Sequence, residues 1–383
     1  MRHIEPDLHY IIRIRRELHQ HPEIGFDLPV TLSIVKRELD ALGIPYTDKY
    51  GKSSLVATLA KGRGRVVALR ADMAALPITE ELDLPFKSQN EGQMHACGHD
   101  THVAMLLGTA KMLKEVEDEL SCEVRLFFQA AEEYAPGGAK LMCEDGCMDG
   151  VDCIIGAHID PGKPINTIAL NYGCVYASSH GFYIDFYGKS CHVATPQRGV
   201  DAIAMGCRAF MDMQMMRARE CDPKEPIVLG IGEFHGGSAN NIVCDHVRLH
   251  GTIRTVSNKA HDHIWRRINE IATRTAEDMG GHAEVITSKH YPAVVNDPAL
   301  AKRIADIGRD ILGIDAVDDK MPHSMGGEDF AFYLLHKPGV FFDIGAKTDK
   351  HPTAPHHNGK FYVDEDSLTT GPRIMFEFVS RFK

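Results

Sequence analysis

A thiol and three imidazoles are crowded into the stretch HACGHDTH. Cys97 and His99 stand two residues apart, His95 and His102 lie close on either side, and Asp100 is among them. Apolar residues at helical spacing follow, so the cluster lies at the start of a predicted helix. Thiolate and imidazole are preferred ligands of zinc in proteins. The stretch indicates either a metal site or a chance cluster in a chain that has 22 His and 10 Cys.

Further segments carry carboxylates or imidazoles where predicted strands end or helices begin. The adjacent Glu132 and Glu133 follow the predicted strand EVRLFFQA, and His158 follows DCIIGA. Similar side chains occur in three other segments, as Asp72, as Glu328 with Asp329, and as His356 with His357. Ligands of a doubly wound sheet bind outside the carboxyl ends of its strands, so we expect these segments to converge there. Their convergence favours a metal centre over a chance cluster.

The mixture of donors suits a borderline divalent ion. Thiolate and imidazole suit zinc, while carboxylate and imidazole also suit manganese or cobalt. Enough donors are present for two ions about 3.5–4 Å apart. Of two adjacent glutamates, one can coordinate metal while its neighbour takes a proton from metal-bound water. A structural zinc site has no use for that second carboxylate, so the pair favours an enzyme.

Composition and charge exclude several other functions. Lys and Arg number 42 against 53 Asp and Glu, which gives a net charge of −11 and argues against nucleic acid as a partner. No apolar run of about 18 residues is present, so we expect no membrane span. The N-terminus has no apolar signal-peptide region, and the cysteines have no disulfide-framework spacing. We therefore expect a cytoplasmic protein with reduced thiols.

The predicted elements indicate two domains. Helix and strand patterns alternate through residue 176 and again over 291–383, which predicts an α/β catalytic domain with a mainly parallel sheet and helices on both faces. Residues 177–290 show the order β-α-β-β-α-β, which is typical of an α+β ferredoxin-like domain. We therefore predict a metal-binding domain made of residues 1–176 and 291–383, into which residues 177–290 are inserted.

Motifs that run in order along nearly the whole chain resemble a known family. They include ALRADMAALPI, MHACGHDTHVAMLLGTAK, QAAEE, GAHIDP, GKSCHVATPQRGVDAI, GTIRT and MGGEDFAFYL. Together they resemble the metal-dependent amidohydrolases of the hippurate hydrolase and auxin-conjugate (IAA-amino acid) hydrolase group, which are related to aminoacylase and carboxypeptidase G. The resemblance implies a zinc-exopeptidase-like fold in which the inserted domain serves as a lid and mediates dimerisation.

The resemblance also implies a set of metal ligands. Carried over by position, they bind one or two divalent ions, Mn²⁺ or Zn²⁺ with Co²⁺ or Ni²⁺ as alternatives: Cys97, His99, Glu133, His158 and His357. The last ligand rests on aligning PHHNGKF with a Leu-His-Ser/Asn-Pro segment of relatives. That alignment puts His356 at the leucine position and His357 at the ligand position, and the choice between them remains open.

Further roles follow from the same resemblance. Glu132 is implied as the general base and later the proton donor, and His192 as a group that stabilises the tetrahedral oxyanion. Asn241 and Arg254 match lid positions that contact the carboxylate end of a substrate. A homodimer or homotetramer through the lid domain is implied as well.

Three positions depart from the family pattern. Ala74 stands where an Asp is usual, Gln197 where His is common, and Gly359 where a Pro is common. We expect the first to influence metal preference and the second to influence the acyl pocket. Two acidic residues near the predicted ligands, Asp72 and Asp100, are expected to orient ligand histidines. The histidines of KAHDHIW are expected on an exposed helix start, without chemistry.

We conclude from the sequence that the chain is a metal-dependent amidohydrolase of small molecules. The expected reaction cleaves the amide of an N-acyl amino acid, with an N-acetyl, N-benzoyl or similar acyl group, to a carboxylate and a free amino acid. One alternative is a dipeptidase or carboxypeptidase of the same superfamily. Another is a metal-stabilised binding protein that has lost its activity.

Overall fold

A computed structural model describes residues 2–351 and 354–382 of the chain. Its helices are α1 (Leu8–Gln20), α2 (Pro29–Leu42), α3 (His99–Glu115), α4 (Gly138–Glu144), α5 (Ala202–Glu220), α6 (Asn258–Asp278), α7 (Pro298–Leu312), α8 (Ala331–Leu334) and α9 (Thr370–Ser380). Its strands are β1 (Tyr46–Thr47), β2 (Leu55–Leu59), β3 (Val66–Asp72), β4 (Glu123–Gln129), β5 (Cys153–Pro164), β6 (Ile168–Ala169), β7 (Cys174–Tyr176), β8 (Ser179–Tyr187), β9 (Ile227–Gly236), β10 (His246–Thr255), β11 (His282–Tyr291), β12 (Val294–Val295), β13 (Val317–Asp318) and β14 (Gly339–Lys347). Within the described ranges, no helix combines the length and apolar character that crossing a bilayer requires.

The larger of two units is built on an eight-stranded sheet in the order β1-β2-β4-β3-β5-β14-β6-β13. Strands β4, β3, β5 and β14 run parallel to one another, whereas β2 pairs antiparallel with β1 and β4, and β6 pairs antiparallel with β14. Leu69 of β3 lies opposite Leu126 of β4 and Ile155 of β5, and all three are fully buried. Near-continuous apolar strands are what a parallel sheet covered by helices requires. The predicted α/β class with a mainly parallel sheet is confirmed.

The register of these strands brings their carboxyl ends level with one another. Asp72, at the end of β3, pairs with Gln129 at the end of β4, and Asp343 of β14 pairs with His158 of β5. Helix α3 begins at His99 and packs against β3 and β5. Polar side chains from several strands and from one helix start therefore share one edge of the sheet.

The second unit contains a four-stranded antiparallel sheet in the order β11-β8-β10-β9, with helices α5 and α6. On β8, Phe182, Ile184 and Phe186 alternate along the strand and are fully buried. They join a core to which α5 contributes Met205 and α6 contributes Ile268. The element order β8-α5-β9-β10-α6-β11 is that of the predicted ferredoxin-like domain.

The boundaries of the two units differ slightly from those that we predicted. The larger unit extends to Val175, resumes over Val294–Pro322 and continues from Glu328. The second unit comprises Tyr176–Ala293 together with His323–Gly327. The sequence predicts that residues 323–327 belong to the catalytic domain. In the structure Ser324 pairs with Tyr176 and its carbonyl accepts from the Ala177 N–H, so this short segment groups with the second unit.

We expect Ile155→Ala to destabilise the larger unit, because it removes a fully buried side chain from the central strand β5. The free energy of unfolding should fall by about 2–5 kcal/mol. Urea denaturation followed by far-UV circular dichroism measures it. The matched control is Ile314→Ala, since Ile314 is 74% exposed and its loss should change stability by less than about 0.5 kcal/mol. Equal effects of the two substitutions would contradict this packing.

Candidate metal centre

Gly98 sets the positions of the two residues that flank it at the start of α3. Its φ of 86° is left-handed, and it forms the N-cap of the helix. A Cβ atom there would lie 2.4 Å from Cγ2 of Ile159, a contact that side chains do not tolerate. Only glycine combines this dihedral with this approach at low cost. The turn places Cys97 just before the helix and His99 in its first turn, and both are buried.

Backbone carbonyls fix the tautomers of two histidines. Nδ1 of His99 donates to the carbonyl of Ala74 at 2.6 Å, and Nδ1 of His158 donates to the carbonyl of Ile159 at 2.8 Å. A neutral imidazole has one donor and one acceptor nitrogen, so Nε2 of each ring presents a lone pair. Nε2 of His158 lies 3.4 Å from Sγ of Cys97. In metal-binding histidines, the nitrogen that does not bind the metal commonly donates such a hydrogen bond, which fixes the orientation of the ring.

The adjacent glutamates follow the end of β4, and a histidine from a distant loop meets one of them. Oε1 of Glu133 lies 2.8 Å from Nε2 of His357. Burial opposes ionisation of Glu133, but the hydrogen bond from His357 and the proximity of His99 lower its pKa. Glu132 is 5% exposed. The structure therefore places both carboxylates beside the imidazoles of the sheet edge.

These residues form overlapping groups that have the dimensions of metal sites. In each of three groups, one ligand atom per residue lies within 4.8 Å of the others: Cys97 with His99 and His158; Cys97 with Glu133 and His357; and His99 with Glu132 and Glu133. Thiolate, imidazole and carboxylate are the donors of divalent transition-metal sites. Because Cys97 belongs to two of the groups, the arrangement fits one ion or two.

The electrostatics of the cluster favour a bound cation. Burial raises the pKa of the Cys97 thiol well above its usual range, and the charges of Glu133 and Glu132 add to the effect. Burial likewise raises the pKa of Glu132, with Glu328 and Glu133 contributing. Buried anions this close oppose one another's ionisation. A divalent cation among them removes that penalty, so the donors present fit a metal ion.

The structure separates the two neighbouring histidines of the late loop. Nε2 of His356 donates to the carbonyl of Ile159 at 2.8 Å, and its ring packs edge-on against His158 at 4.9 Å between centroids. Burial lowers the pKa of His356 to about 4. The neighbouring His357 instead reaches Glu133 and Cys97. Of the pair, His357 is the one brought into the donor groups.

A second layer of buried polar groups supports the cluster. Oδ1 of Asp72 accepts from Nδ1 of His102 at 2.6 Å, and Nε2 of His102 accepts from the Ile159 N–H at 3.0 Å. Both nitrogens of His102 are thus engaged in hydrogen bonds. Oδ2 of Asp72 also lies 3.2 Å from Nε2 of His99. Its hydrogen bond goes to His102, which is not among the predicted ligands, so the orienting role of Asp72 toward a ligand histidine stays a prediction.

Sequence reasoning missed the buried cation of this layer, Arg70. Its guanidinium lies 3.2 Å from Asp72 and 3.0 Å from both Glu328 and Asp329. From the sequence, Glu328 and Asp329 are grouped with the metal-type donors, but the structure pairs them with this arginine. An arginine within an apolar strand pattern gives no local signal. The pairing emerges only when β3 meets the loop before α8.

Asp100 does not orient a ligand histidine, contrary to our expectation. Its Oδ2 accepts from Nδ1 of His19 at 2.8 Å and lies 3.0 Å from Nε of Arg15. Helix periodicity accounts for the difference. One residue along a helix is a rotation of about 100°, which turns Asp100 away from the face that His99 presents and toward α1.

Three further predicted site residues, His192, Asn241 and Arg254, lie in the second unit. The Val193 N–H donates to the carbonyl of Asn241 at 3.0 Å, so His192 and Asn241 lie on neighbouring backbone segments. Nδ1 of His192 accepts from the Ala194 N–H at 3.0 Å, and the side chain is exposed. Arg254 is half-buried on β10, and burial lowers its pKa.

Comparison with known proteins identifies the class. The family described as peptidase family M20/M25/M40 matches residues 68–381. The chain is 38% identical over 371 residues to thermostable carboxypeptidase 1 of Saccharolobus solfataricus, with 94% of this chain and 92% of that protein covered. It is 34% identical over 372 residues to N-acetyl-L-cysteine deacetylase of Bacillus subtilis, with 97% and 88% covered.

A solved structure agrees with this assignment. The Bacillus subtilis YXEP protein, described as a dinuclear metal binding peptidase from the M20 family, matches with a TM-score of 0.82 at 31% identity, covering 97% of each chain. The chain belongs to peptidase family M20/M25/M40. It is a metal-dependent hydrolase, as the resemblance to metal-dependent amidohydrolases predicted, and a divalent metal is its cofactor.

We expect Gly98→Ala to impair both folding and metal binding. The added Cβ incurs about 1–2 kcal/mol for the left-handed backbone and roughly 1–3 kcal/mol for the clash with Ile159. Urea denaturation and metal content per chain by mass spectrometry measure the two effects. In the control Gly43→Ala, φ is also positive at 64° but nothing lies within 4 Å of the Cβ position. Indistinguishable stability and metal content of the two variants would contradict the positioning role of Gly98.

Proposed function

We propose that the chain hydrolyses the amide bond of N-acyl amino acids, such as N-acetyl or N-benzoyl compounds, to a carboxylate and a free amino acid. One observation carries the proposal: Glu132 and Glu133 stand side by side with ligand atoms within 4.8 Å of that of His99. A site that only stores or structures a metal needs ligands alone. A second carboxylate at the same place supplies the proton acceptor that hydrolysis requires.

The proposed ligands divide into two groups that share the thiolate. Cys97, His99 and His158 would hold one ion, and Cys97, Glu133 and His357 would hold a second. The mixture of thiolate, imidazole and carboxylate suits Zn²⁺ or Mn²⁺, with Co²⁺ and Ni²⁺ as further candidates. When bound, such an ion supplies Lewis acidity, which polarises an amide carbonyl and makes water a better nucleophile near neutral pH.

We assign the proton transfers to Glu132. It accepts a proton from the attacking water and donates that proton to the leaving nitrogen, which departs as the amine of the free amino acid. Because Glu132 is only 5% exposed, bulk water has little access to the carboxyl group between the two steps. Its neighbour Glu133 is engaged with His357 at 2.8 Å, which supports the division of roles between the two carboxylates.

Three residues of the second unit are proposed to act on the substrate. Because Nδ1 of His192 accepts a backbone N–H, the neutral ring carries its proton on Nε2, and this donor can stabilise an oxyanion. Arg254 is proposed to bind the carboxylate of the amino-acid part of the substrate. Burial disfavours the charged form of its guanidinium and lowers its pKa, and a bound carboxylate would offset that cost. Asn241, on the segment beside His192, is proposed to donate its side-chain amide to the same carboxylate.

We also propose that the second unit mediates assembly into a homodimer or homotetramer of a cytoplasmic enzyme. Several large apolar side chains of this unit are at least 40% exposed: Val228, Phe234, Ile242 and Ile286. Exposed apolar side chains of this size are typical of interaction surfaces when they are contiguous. Sedimentation equilibrium would distinguish these assemblies from a monomer.

A carboxypeptidase or dipeptidase activity is the second candidate. The observation in its favour is the 38% identity to thermostable carboxypeptidase 1. The proposed residues would perform the same proton transfers on either substrate, because both reactions hydrolyse an amide. The two activities differ in the group that precedes the scissile carbonyl, which is an acyl chain in one and an amino acid in the other.

A substrate panel should distinguish the two candidates. We expect N-acetyl and N-benzoyl amino acids to release free amino acid with a larger kcat/KM than dipeptides. Activity should be lost after treatment with a chelator and should return on addition of Mn²⁺ or Zn²⁺. Turnover is measured as primary amine released. Faster turnover of dipeptides would transfer the proposal to the second candidate, and undiminished activity without metal would refute the metal-dependent mechanism.

Glu132→Gln should separate catalysis from metal binding. We expect kcat to fall at least about 10²-fold while the metal content per chain is unchanged, because the amide cannot accept a proton. Glu133→Gln should instead lower the metal content. The matched control is Glu81→Gln, since the side chain of Glu81 is 56% exposed. Retention of metal by Glu133→Gln and loss by Glu132→Gln would show that the two roles are reversed.

A further inference from the structure

Three histidines from three elements of the second unit gather at one place. His180 lies on β8, His290 on the adjacent strand β11, and His261 in the first turn of α6. His180 and His290 are direct register partners across the two strands. His180 and His261 are 2% and 3% exposed. The expectation that the histidines of KAHDHIW lie on an exposed helix start is therefore wrong for His261, because this turn faces the sheet.

The imidazoles of this histidine triad, His180, His261 and His290, are stacked at metal-site dimensions. Nδ1 of His180 lies 2.8 Å from Nε2 of His261. The rings of His261 and His290 are nearly parallel, with an interplanar angle of 8° and centroids 4.4 Å apart. One ring nitrogen from each of the three residues lies within 4.8 Å of the other two. Because a nitrogen lone pair lies in the plane of its ring, the stacked ring of His290 would have to turn for all three to reach a common ion.

The outer nitrogens of two of these rings already have the partners that metal-binding histidines use. Nε2 of His180 lies 3.1 Å from Oγ1 of Thr287, and Nδ1 of His261 lies 3.0 Å from Oδ1 of Asp262. A ligating histidine commonly donates its other N–H to a carboxylate or another oxygen, which fixes the tautomer and the ring orientation. If Nε2–H of His180 donates to Thr287 and Nδ1–H of His261 donates to Asp262, the lone pairs on Nδ1 of His180 and Nε2 of His261 face each other. A cation between these two nitrogens can then take the place of the proton that they share in a hydrogen bond.

We propose that the histidine triad is a second metal site, which binds one divalent transition-metal ion such as Zn²⁺ through three imidazole nitrogens. Three imidazoles leave one position of a tetrahedral ion for water. The nitrogens of His180 and His261 would separate from 2.8 Å to about 3.3 Å, the spacing that Zn–N bonds of about 2.0–2.1 Å impose on a tetrahedron. The bound ion would tie β8, β11 and α6 together, and it shares no ligand with the catalytic centre.

Imidazole nitrogens are common ligands of Zn²⁺ in proteins, and the triad offers three of them. The alternative is that the three rings only pack against one another, in which case added metal would have no effect at this place.

The single tryptophan of the chain provides a direct probe. Trp265 lies on α6 with its ring centroid 4.2 Å from that of His180. We would titrate the full-length, chelator-treated chain with Co²⁺, which quenches tryptophan fluorescence at short range. The fluorescence of Trp265 should fall by more than half, and prior addition of Zn²⁺ should prevent this change. Undiminished fluorescence at saturating Co²⁺ would overturn the proposal.

Substitutions assign the quenching to the triad. His290→Gln and His261→Gln should each need at least about tenfold more Co²⁺ for the same quenching, because each removes one of three ligands. Each should also bind one Zn²⁺ fewer per chain by mass spectrometry. The matched control is His282→Gln on the same strand β11, since its side chain is 70% exposed, and it should titrate like the unsubstituted chain. Identical titrations of all variants would overturn the proposal, as would an unchanged zinc content in both triad variants. Far-UV circular dichroism of the metal-free variants confirms that each is folded.

Discussion

Burial of negative charge at one edge of the larger unit's sheet is the constraint on which the rest of the site depends. Ligand atoms of Cys97 and Glu133 lie within 4.8 Å of each other. When both are ionised, they repel by at least about 3.5 kcal/mol at an effective dielectric constant of 20. Within the second layer, Arg70 balances Asp72, Glu328 and Asp329 at 3.0–3.2 Å. No arginine takes that place among the described contacts of Cys97, so we propose that a divalent cation balances the charge of its thiolate.

Main-chain atoms do much of the positioning at this centre. The carbonyls of Ala74 and Ile159 select the tautomers of His99 and His158, and Gly98 sets the turn between Cys97 and α3. This explains why alanine at position 74 is compatible with the site. The hydrogen bond to His99 needs only the carbonyl, which every residue has. A carboxylate at position 74 is thus not required to orient the ring.

The sequence predicted the sheet, the order of elements in the second unit and the clustering of Cys97, His99 and the two glutamates, because short-range periodicity and motif spacing determine these features. It could not predict which individual ion pairs and hydrogen bonds form between distant segments. Arg70 finds Glu328 only in the folded chain, and Asp100 turns toward Arg15 through the rotation of α3. The prediction that His261 is exposed was wrong, because helix periodicity does not show which face of a helix packs on a sheet. The choice between His356 and His357 likewise required the path of the late loop.

The central claim is that the thiolate of Cys97 is a ligand of the catalytic metal. X-ray absorption spectroscopy of the zinc-loaded chain tests it most directly. The account predicts a sulfur scatterer at about 2.3 Å together with nitrogen or oxygen scatterers at about 2.0–2.1 Å, and the sulfur contribution should disappear in Cys97→Ser. A spectrum with only nitrogen and oxygen neighbours in the unsubstituted chain would contradict the account, because Cys97 would then lie beside the metal without binding it.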